Sequence, residues 1–213
     1  MNLKEIKTAL SLTIFLLLVC GLVYPAAMAL AGRMFFHKQA NGSLVYFDGK
    51  AAGSELIGQD FTGPQFMKCR PSAVNYNMYT LRMKESGEYK GVASGSDNLA
   101  PSNPKLTERI NRDAENFVSA NPSVKKSDIP VDMLAASGSG LDPHISPEAA
   151  AAQIPAVSQA SGIPEKELKS IVAKNTQRKL LGIFGAERVN VLKVNIAISD
   201  KIKGRMPLAG ENK

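Results

Sequence analysis

The sequence predicts an α+β protein: one N-terminal transmembrane helix followed by a single mixed α+β domain on the extracytoplasmic side. Three observations carry this. From Thr8 to Gly32 no residue is charged, and Leu, Val, Ile, Ala and Phe dominate. Strand-like patterns lie near both ends of the remaining chain, and capped segments with helical apolar spacing lie between them. Strands placed around several helices indicate an α+β domain, not repeated βαβ units. No internal repeat is visible.

The apolar run would form a helix of about 37 Å at roughly 1.5 Å per residue, enough to cross a hydrocarbon core of about 30 Å. A transmembrane helix is expected over residues 9–31, with Leu10, Leu16, Leu17, Leu18, Val19, Gly21, Leu22, Pro25 and Ala29 as anchor positions. Residues 1–8 then form a short cytoplasmic tail, and residues 32–213 the domain. Two other readings compete. Lys4 and Lys7, the run from Leu10 to Tyr24 and Ala29-Leu30-Ala31 fit the three regions of a cleavable signal peptide. Cys20, after Leu17-Leu18-Val19, could end a lipoprotein signal, but the residue before a lipidated Cys should be small, and the run continues to Leu30. Length favours the anchor, because the apolar region of a signal usually stops at about 7–15 residues. Lys4, Lys7 and the amino terminus nearly balance Arg33 and Lys38, so charge sets orientation weakly. The short tail and large following domain favour an inside N-terminus.

What remains after the anchor is enough for one domain with its own core. The chain of 213 residues carries a formal net charge of +7. Its basic residues are scattered, not gathered into a block with aromatics interleaved, which argues against a nucleic-acid groove. The two cysteines, Cys20 and Cys69, lie in different environments and cannot form an internal disulfide. With His37 and His144 the only histidines and no C-x-x-C, a four-ligand zinc site has no basis.

Leu44-Val45-Tyr46-Phe47 and Glu55-Leu56-Ile57 read as short strands bounded by glycines. Thr80 to Pro104 is polar and reads as an extended loop. Asn103-Pro104 supplies an N-cap and a first-turn proline, and Leu106, Ile110, Ala114 and Phe117 follow at helical spacing to an end near Asn121-Pro122. A second helix starts at Ser146-Pro147-Glu148, with Pro155 expected to kink it. A third opens at Pro164 and places Leu168, Ile171 and Val172 on one face. Val189 to Ile198 alternates as a strand, with Leu192, Val194, Ile196 and Ile198 facing one way and Lys193, Asn195 and Ala197 the other. Gly182 and Gly185 mark a turn around Ile183-Phe184.

No phosphate-binding loop is present in either common form. Ser137, Ser139, Asp142 and His144 fall within eight residues and raise a secreted serine hydrolase using Ser139 or Ser137 with His144 as an alternative. G-x-S-x-G is missing, however, and triad members normally come from separated segments. Three loops combine Gly, Pro, Ser and Asn with single charges: 69–73, 94–104 and 136–147. Such loops either form a binding face on a rigid scaffold or brace the domain internally.

The same segments resemble the C subunit of the bacterial potassium-transporting Kdp ATPase. The longest stretch is Ala136-Ser137-Gly138-Ser139-Gly140-Leu141-Asp142-Pro143-His144-Ile145-Ser146-Pro147. Gly53-Ser54-Glu55-Leu56-Ile57-Gly58-Gln59, Arg70-Pro71-Ser72-Ala73, Asn98-Leu99 with Pro101-Ser102-Asn103-Pro104, and Arg188-Val189-Asn190-Val191-Leu192 with Asn195 follow the same pattern. Asp97 and Ala100 depart from it, as does the stretch from Tyr79 to Val92. The resemblance implies a retained anchor in the bacterial inner membrane and a non-catalytic accessory subunit of an ATP-driven potassium uptake pump. The implied partners are a channel-like potassium-translocating subunit, a P-type ATPase subunit, a small single-helix subunit and membrane lipid. The implied contact loops hold Arg70, Pro71, Ser72, Asn98, Pro101, Asn103, Ser137, Gly138, Ser139, Gly140, Asp142, His144 and Ser146. No cofactor is expected on this chain itself; ATP and potassium belong to the complex.

Overall fold

The computed structural model describes residues 2–88 and 91–202, in two compact units that divide at Leu44 and Val45. The first unit is essentially one helix, α1, spanning Leu3–Phe35. Asn2 caps it: its side chain accepts from the Lys4 N–H, and the Glu5 carboxylate accepts from the Asn2 N–H, a reciprocal capping box. At 33 residues the helix is about 50 Å long, at roughly 1.5 Å per residue, so it overruns the uncharged run at both ends. Its middle, Val19–Val23, widens into a π-turn in which the Tyr24 N–H reaches the Val19 carbonyl. Pro25 explains the turn. Its ring would strike the Gly21 carbonyl in a regular α-helix, and widening the turn relieves the clash. Cys20 lies inside this turn and Ala29-Leu30-Ala31 inside the helix. No apolar side chain of α1 is buried, as a helix that seeks lipid requires. A short helix, α2 (His37–Ala40), follows.

A hairpin of β1 (Leu44–Phe47) and β2 (Lys50–Ser54) comes next. Asp48 and Gly49 both hold positive φ (49° and 73°), the turn that matches the twist of paired strands. The second expected strand is displaced: Glu55-Leu56-Ile57 forms the turn after β2, where the Ser54 hydroxyl accepts from the Leu56 N–H. The polar stretch after Thr80 is not wholly a loop either. Thr80 caps a five-residue helix, α3 (Leu81–Glu85), by accepting from the Met83 N–H.

The three expected helices appear, two of them at their side-chain caps. Asn103 caps α4 (Pro104–Ala120), and Ser146 caps α5 (Pro147–Ser161), which ends on Gly162 at φ 73°. The helix α5 continues through Pro155. The third, α6 (Glu165–Lys174), buries Leu168, Ile171 and Val172. A three-stranded antiparallel sheet is assembled from β3 (His144–Ile145), β4 (Thr176–Gln177) and β5 (Arg188–Asn190), with β5 central. His144 pairs with Asn190, and Val189 lies between Ile145 and Thr176.

The largest departure follows β5. The chain expected to remain a strand turns into a helix, α7 (Val191–Ile202). Asn190 starts it by accepting from the Lys193 N–H. Val191, Leu192, Val194, Asn195, Ile198 and Ser199 are buried, a spacing of three and four that a helix satisfies. The alternating apolar residues were real, but Ile196 is only partly buried while Asn195, assigned to the outer face, lies inside. Leu168, Val189, Val191, Leu192, Val194 and Ile198, with Phe61, Phe66 and Met67, make the fully buried centre.

Candidate functional site

The segment from Phe66 to Ala73 crosses this core without regular structure, so its backbone polar groups need other partners. Two amide side chains supply them. Asn195 on α7 accepts from the Met67 N–H and donates to the Met67 carbonyl, both at 2.9 Å. Gln153 on α5 treats Lys68 the same way, accepting at 2.8 Å and donating at 3.3 Å. Each amide thus imitates one rung of a β-ladder. The next residues, Cys69 to Ser72, are thereby aimed at the 136–147 loop.

Two further polar groups here are shifted by partial burial. Burial pushes the Cys69 thiol up to about 12, which favours the neutral sulfhydryl. Burial likewise lowers the Lys68 ammonium below its ordinary value, and Lys68 donates to the Phe61 carbonyl.

The loops lock together through hydrogen bonds that cross long sequence separations. Ser137 is buried; its N–H donates to the Pro71 carbonyl (2.9 Å), and its hydroxyl accepts from the Gly140 N–H (3.1 Å). The Ser72 hydroxyl donates to the Gly140 carbonyl (2.7 Å) and accepts from the N–H groups of Val74 and Tyr76. The Tyr76 hydroxyl donates to the Arg70 carbonyl. Ser139 reaches the third loop: its carbonyl accepts from the Gly95 N–H (2.8 Å) and the Ser94 hydroxyl (3.1 Å). Gly140 holds φ 68° among these contacts, while Gly58 lies so close to Asp142 that a Cβ there would sit 2.6 Å from its carbonyl oxygen. The Gly58 N–H donates to the Leu141 carbonyl at 2.8 Å.

Charge is placed at the edge of this assembly. The Arg70 guanidinium donates to the Asp142 carboxylate at 3.1 Å and to the Ala135 carbonyl at 3.3 Å. His144 donates to Asp142 through its backbone N–H (3.0 Å), and its ring Nδ1 lies 3.4 Å from the same oxygen. Burial acts to raise the Asp142 carboxyl, but the His144 hydrogen bonds and the Arg70 charge outweigh it and hold the group below its ordinary range. The sign follows. This stabilisation is fully present above the unfolded value, about pH 4, and is lost as pH falls through the depressed folded value. Acid titration of domain unfolding should therefore show a loss in that window for the natural chain, and Asp142→Asn should flatten it. An identical acid profile for both would refute the role assigned to the carboxylate.

The remaining expected site residues divide. Asn103 and Ser146 are helix caps, and Ser146 also donates to Asp132 through its N–H (2.7 Å) and hydroxyl (3.0 Å). Asn98, at φ 49°, pairs locally with Ser96, and Pro101 is exposed in the turn before α4. Gly138 is exposed, with open space around its α-carbon. Beside them a largely apolar cleft of about 470 Å³ opens between the 96–99 loop, α4 and residues 131–136, with Leu106, Ile110, Val131 and Leu134 in its walls.

Gln153, Asp132 and Tyr76 were missed from sequence. A lone Gln on the apolar face of an alanine-rich helix was the available signal for Gln153. The hydrolase alternative finds no support. Among the described residues no hydrogen bond joins Ser137 or Ser139 to His144; the Ser139 hydroxyl lies 3.3 Å from that of Ser137 and accepts from the Leu141 N–H.

An N-terminal helix long and apolar enough to cross a membrane, followed by an α+β domain built around interlocked loops, suggests a single-span, membrane-anchored protein. Residues 6–200 match the family described as "KdpC: K+-transporting ATPase, c chain", and the chain belongs to that family. It is 56% identical over 199 residues to the potassium-transporting ATPase KdpC subunit of Clostridium kluyveri, covering 93% of this chain and 95% of that one. The KdpC subunit of Clostridioides difficile strain 630 is 51% identical over 206 residues (94% and 99%). That of Bradyrhizobium diazoefficiens is 42% identical over 201 residues (92% and 96%).

Proposed function

We propose that the chain is a non-catalytic accessory subunit of a high-affinity, ATP-driven potassium uptake pump of the bacterial inner membrane. The observation that carries this is the family match over residues 6–200, which takes in nearly all of the apolar helix as well as the domain. A match that includes the helix favours a retained anchor over a discarded signal.

On this reading residues 1–8 are cytoplasmic, α1 spans the membrane, and the domain lies outside the cytoplasm. The helix packs against membrane partners, and the small residues from Ala26 to Ala31 after Pro25 offer a close-packing surface. The loop assembly around Ser137 to Ser146 docks on the channel-like potassium-translocating subunit, with the P-type ATPase subunit and a small single-helix subunit completing the complex. Its internal hydrogen bonds support docking by a preformed surface, which orders little on binding. ATP and potassium act at the level of the complex. The family's subunit is also described as raising the nucleotide affinity of the ATPase subunit, and a domain outside the cytoplasm would do so only indirectly.

Pull-down from solubilised membranes with subunit identification tests the proposal. The full chain should co-purify with the pump subunits, and a chain lacking residues 1–32 should not. Intact assembly and transport with the truncated chain would sink it.

A further inference from the structure

The hairpin between β4 and β5 ends in the most exposed apolar cluster of the α+β unit. Leu180, Leu181, Ile183 and Phe184 are 62–81% exposed, although they fall within five consecutive residues. A tip left in water would not hold four such side chains outward at no gain. Its backbone is prepared for an apolar setting. The Leu180 N–H donates to the Phe184 carbonyl (2.8 Å), the Phe184 and Ile183 N–H groups donate to the Leu180 carbonyl (3.0 and 3.1 Å), and the Gly182 N–H donates to the Lys179 carbonyl (3.1 Å). Closing these groups internally removes much of the penalty for taking peptide units out of water. Leu181, Gly182 and Gly185 hold φ of 54°, 75° and 85°, so the tip is a tight turn with a defined outward face.

Charge identifies the occupant. Arg178 and Lys179 immediately precede the tip, and from 174 to 188 the basic residues Lys174, Arg178, Lys179 and Arg188 face only Glu187. Neither Arg178 nor Lys179 forms an ion pair among the described residues. An aliphatic and aromatic tip with a basic collar matches the boundary between acyl chains and anionic headgroups. We infer that the Leu180–Phe184 tip inserts into an anionic lipid surface, giving the domain a second attachment to the bilayer besides α1. Tethering by the helix raises the local concentration of lipid, so a shallow insertion suffices.

The inference rests on the membrane anchor of the preceding section and not on the identity of the pump. The full chain carrying Cys20→Ala and either Leu181→Cys or Ile183→Cys, labelled with an environment-sensitive fluorophore, would be reconstituted in nanodiscs containing phosphatidylglycerol, without other subunits. A blue-shifted emission quenched by lipids carrying a nitroxide is expected at both positions. Loss of that quenching is expected for Arg178→Gln with Lys179→Gln and for nanodiscs of phosphatidylcholine alone. Water-like emission without lipid quenching would overturn the inference. So would protection that arises only with the other pump subunits and without lipid quenching, which would give the tip to a protein groove. Co-purification of the unsubstituted chain, measured in parallel, reports separately on the pump assignment.

Discussion

Replacing Asn195 by leucine is expected to destabilise the domain by roughly 2–6 kcal/mol, because two buried backbone groups lose their partners at about 1–3 kcal/mol each. Asn195 is fully buried, and both its contacts are to one residue, the N–H and carbonyl of Met67. Leucine matches the amide in shape, so the loss measures unsatisfied polarity more than a cavity. Gln153→Leu should cost less. Its target, Lys68, is only half-buried, and water can replace part of what is lost. Urea unfolding of the full chain in detergent, followed by circular dichroism, would measure both. A change below about 1 kcal/mol for Asn195→Leu, the usual size of a surface substitution or smaller net bond, would contradict the ladder-like role given to the amide.

Gly140→Ala is expected to be as damaging, and Gly138→Ala nearly silent, though only Ser139 separates them. At Gly140 an alanine meets two penalties. Its φ of 68° disfavours a side chain by about 1–2 kcal/mol. A Cβ would also sit 2.5 Å from the Val74 Cγ2 and 2.9 Å from the Gly95 carbonyl oxygen, which requires two loops to move apart. Overpacking of that kind adds about 1–3 kcal/mol. Around Gly138 nothing lies within 4 Å, and a change within about 0.5 kcal/mol is expected there. If the loop assembly is the docking face, Gly140→Ala should also reduce co-purification with the pump subunits in proportion to the unfolded or misassembled fraction. Equal behaviour of the two variants in unfolding would refute the picture of loops interlocked at Gly140.

The elements that were legible from sequence were those with local causes. Asn103-Pro104 and Ser146-Pro147 announced α4 and α5 because a cap and a fixed proline φ act within one helical turn. Leu44–Phe47, an apolar run bounded by glycines, forms β1 as its composition predicts. Val189 to Ile198 failed for the opposite reason. Its apolar residues fit both a period of two and a period near 3.6, and packing against Met67, Leu168 and their neighbours selects the helix. The capping side chain of Asn190 was the local sign that favoured the helix.

The candidate site was half legible. Its loops were recognisable from Gly, Ser, Pro and Asn content, and their residues from the family resemblance. Their mutual arrangement was not, since Ser72 meets Gly140 across 68 positions and Asn195 meets Met67 across 128. Nothing in a residue's neighbours along the chain specifies such a partner.

By itself the sequence determined a single membrane-seeking helix, its capped companions, and membership in a family of potassium-pump subunits. These rest on local hydrophobicity, short-range hydrogen bonding and residue identity, all readable in one dimension. The tertiary structure alone decided that Asn195 points inward, that the last apolar stretch is helical, and that four separated segments close on one another around Gly140 and Asp142. Those outcomes come from satisfying buried polar groups and filling the core, and both conditions are set only when distant parts of the chain meet.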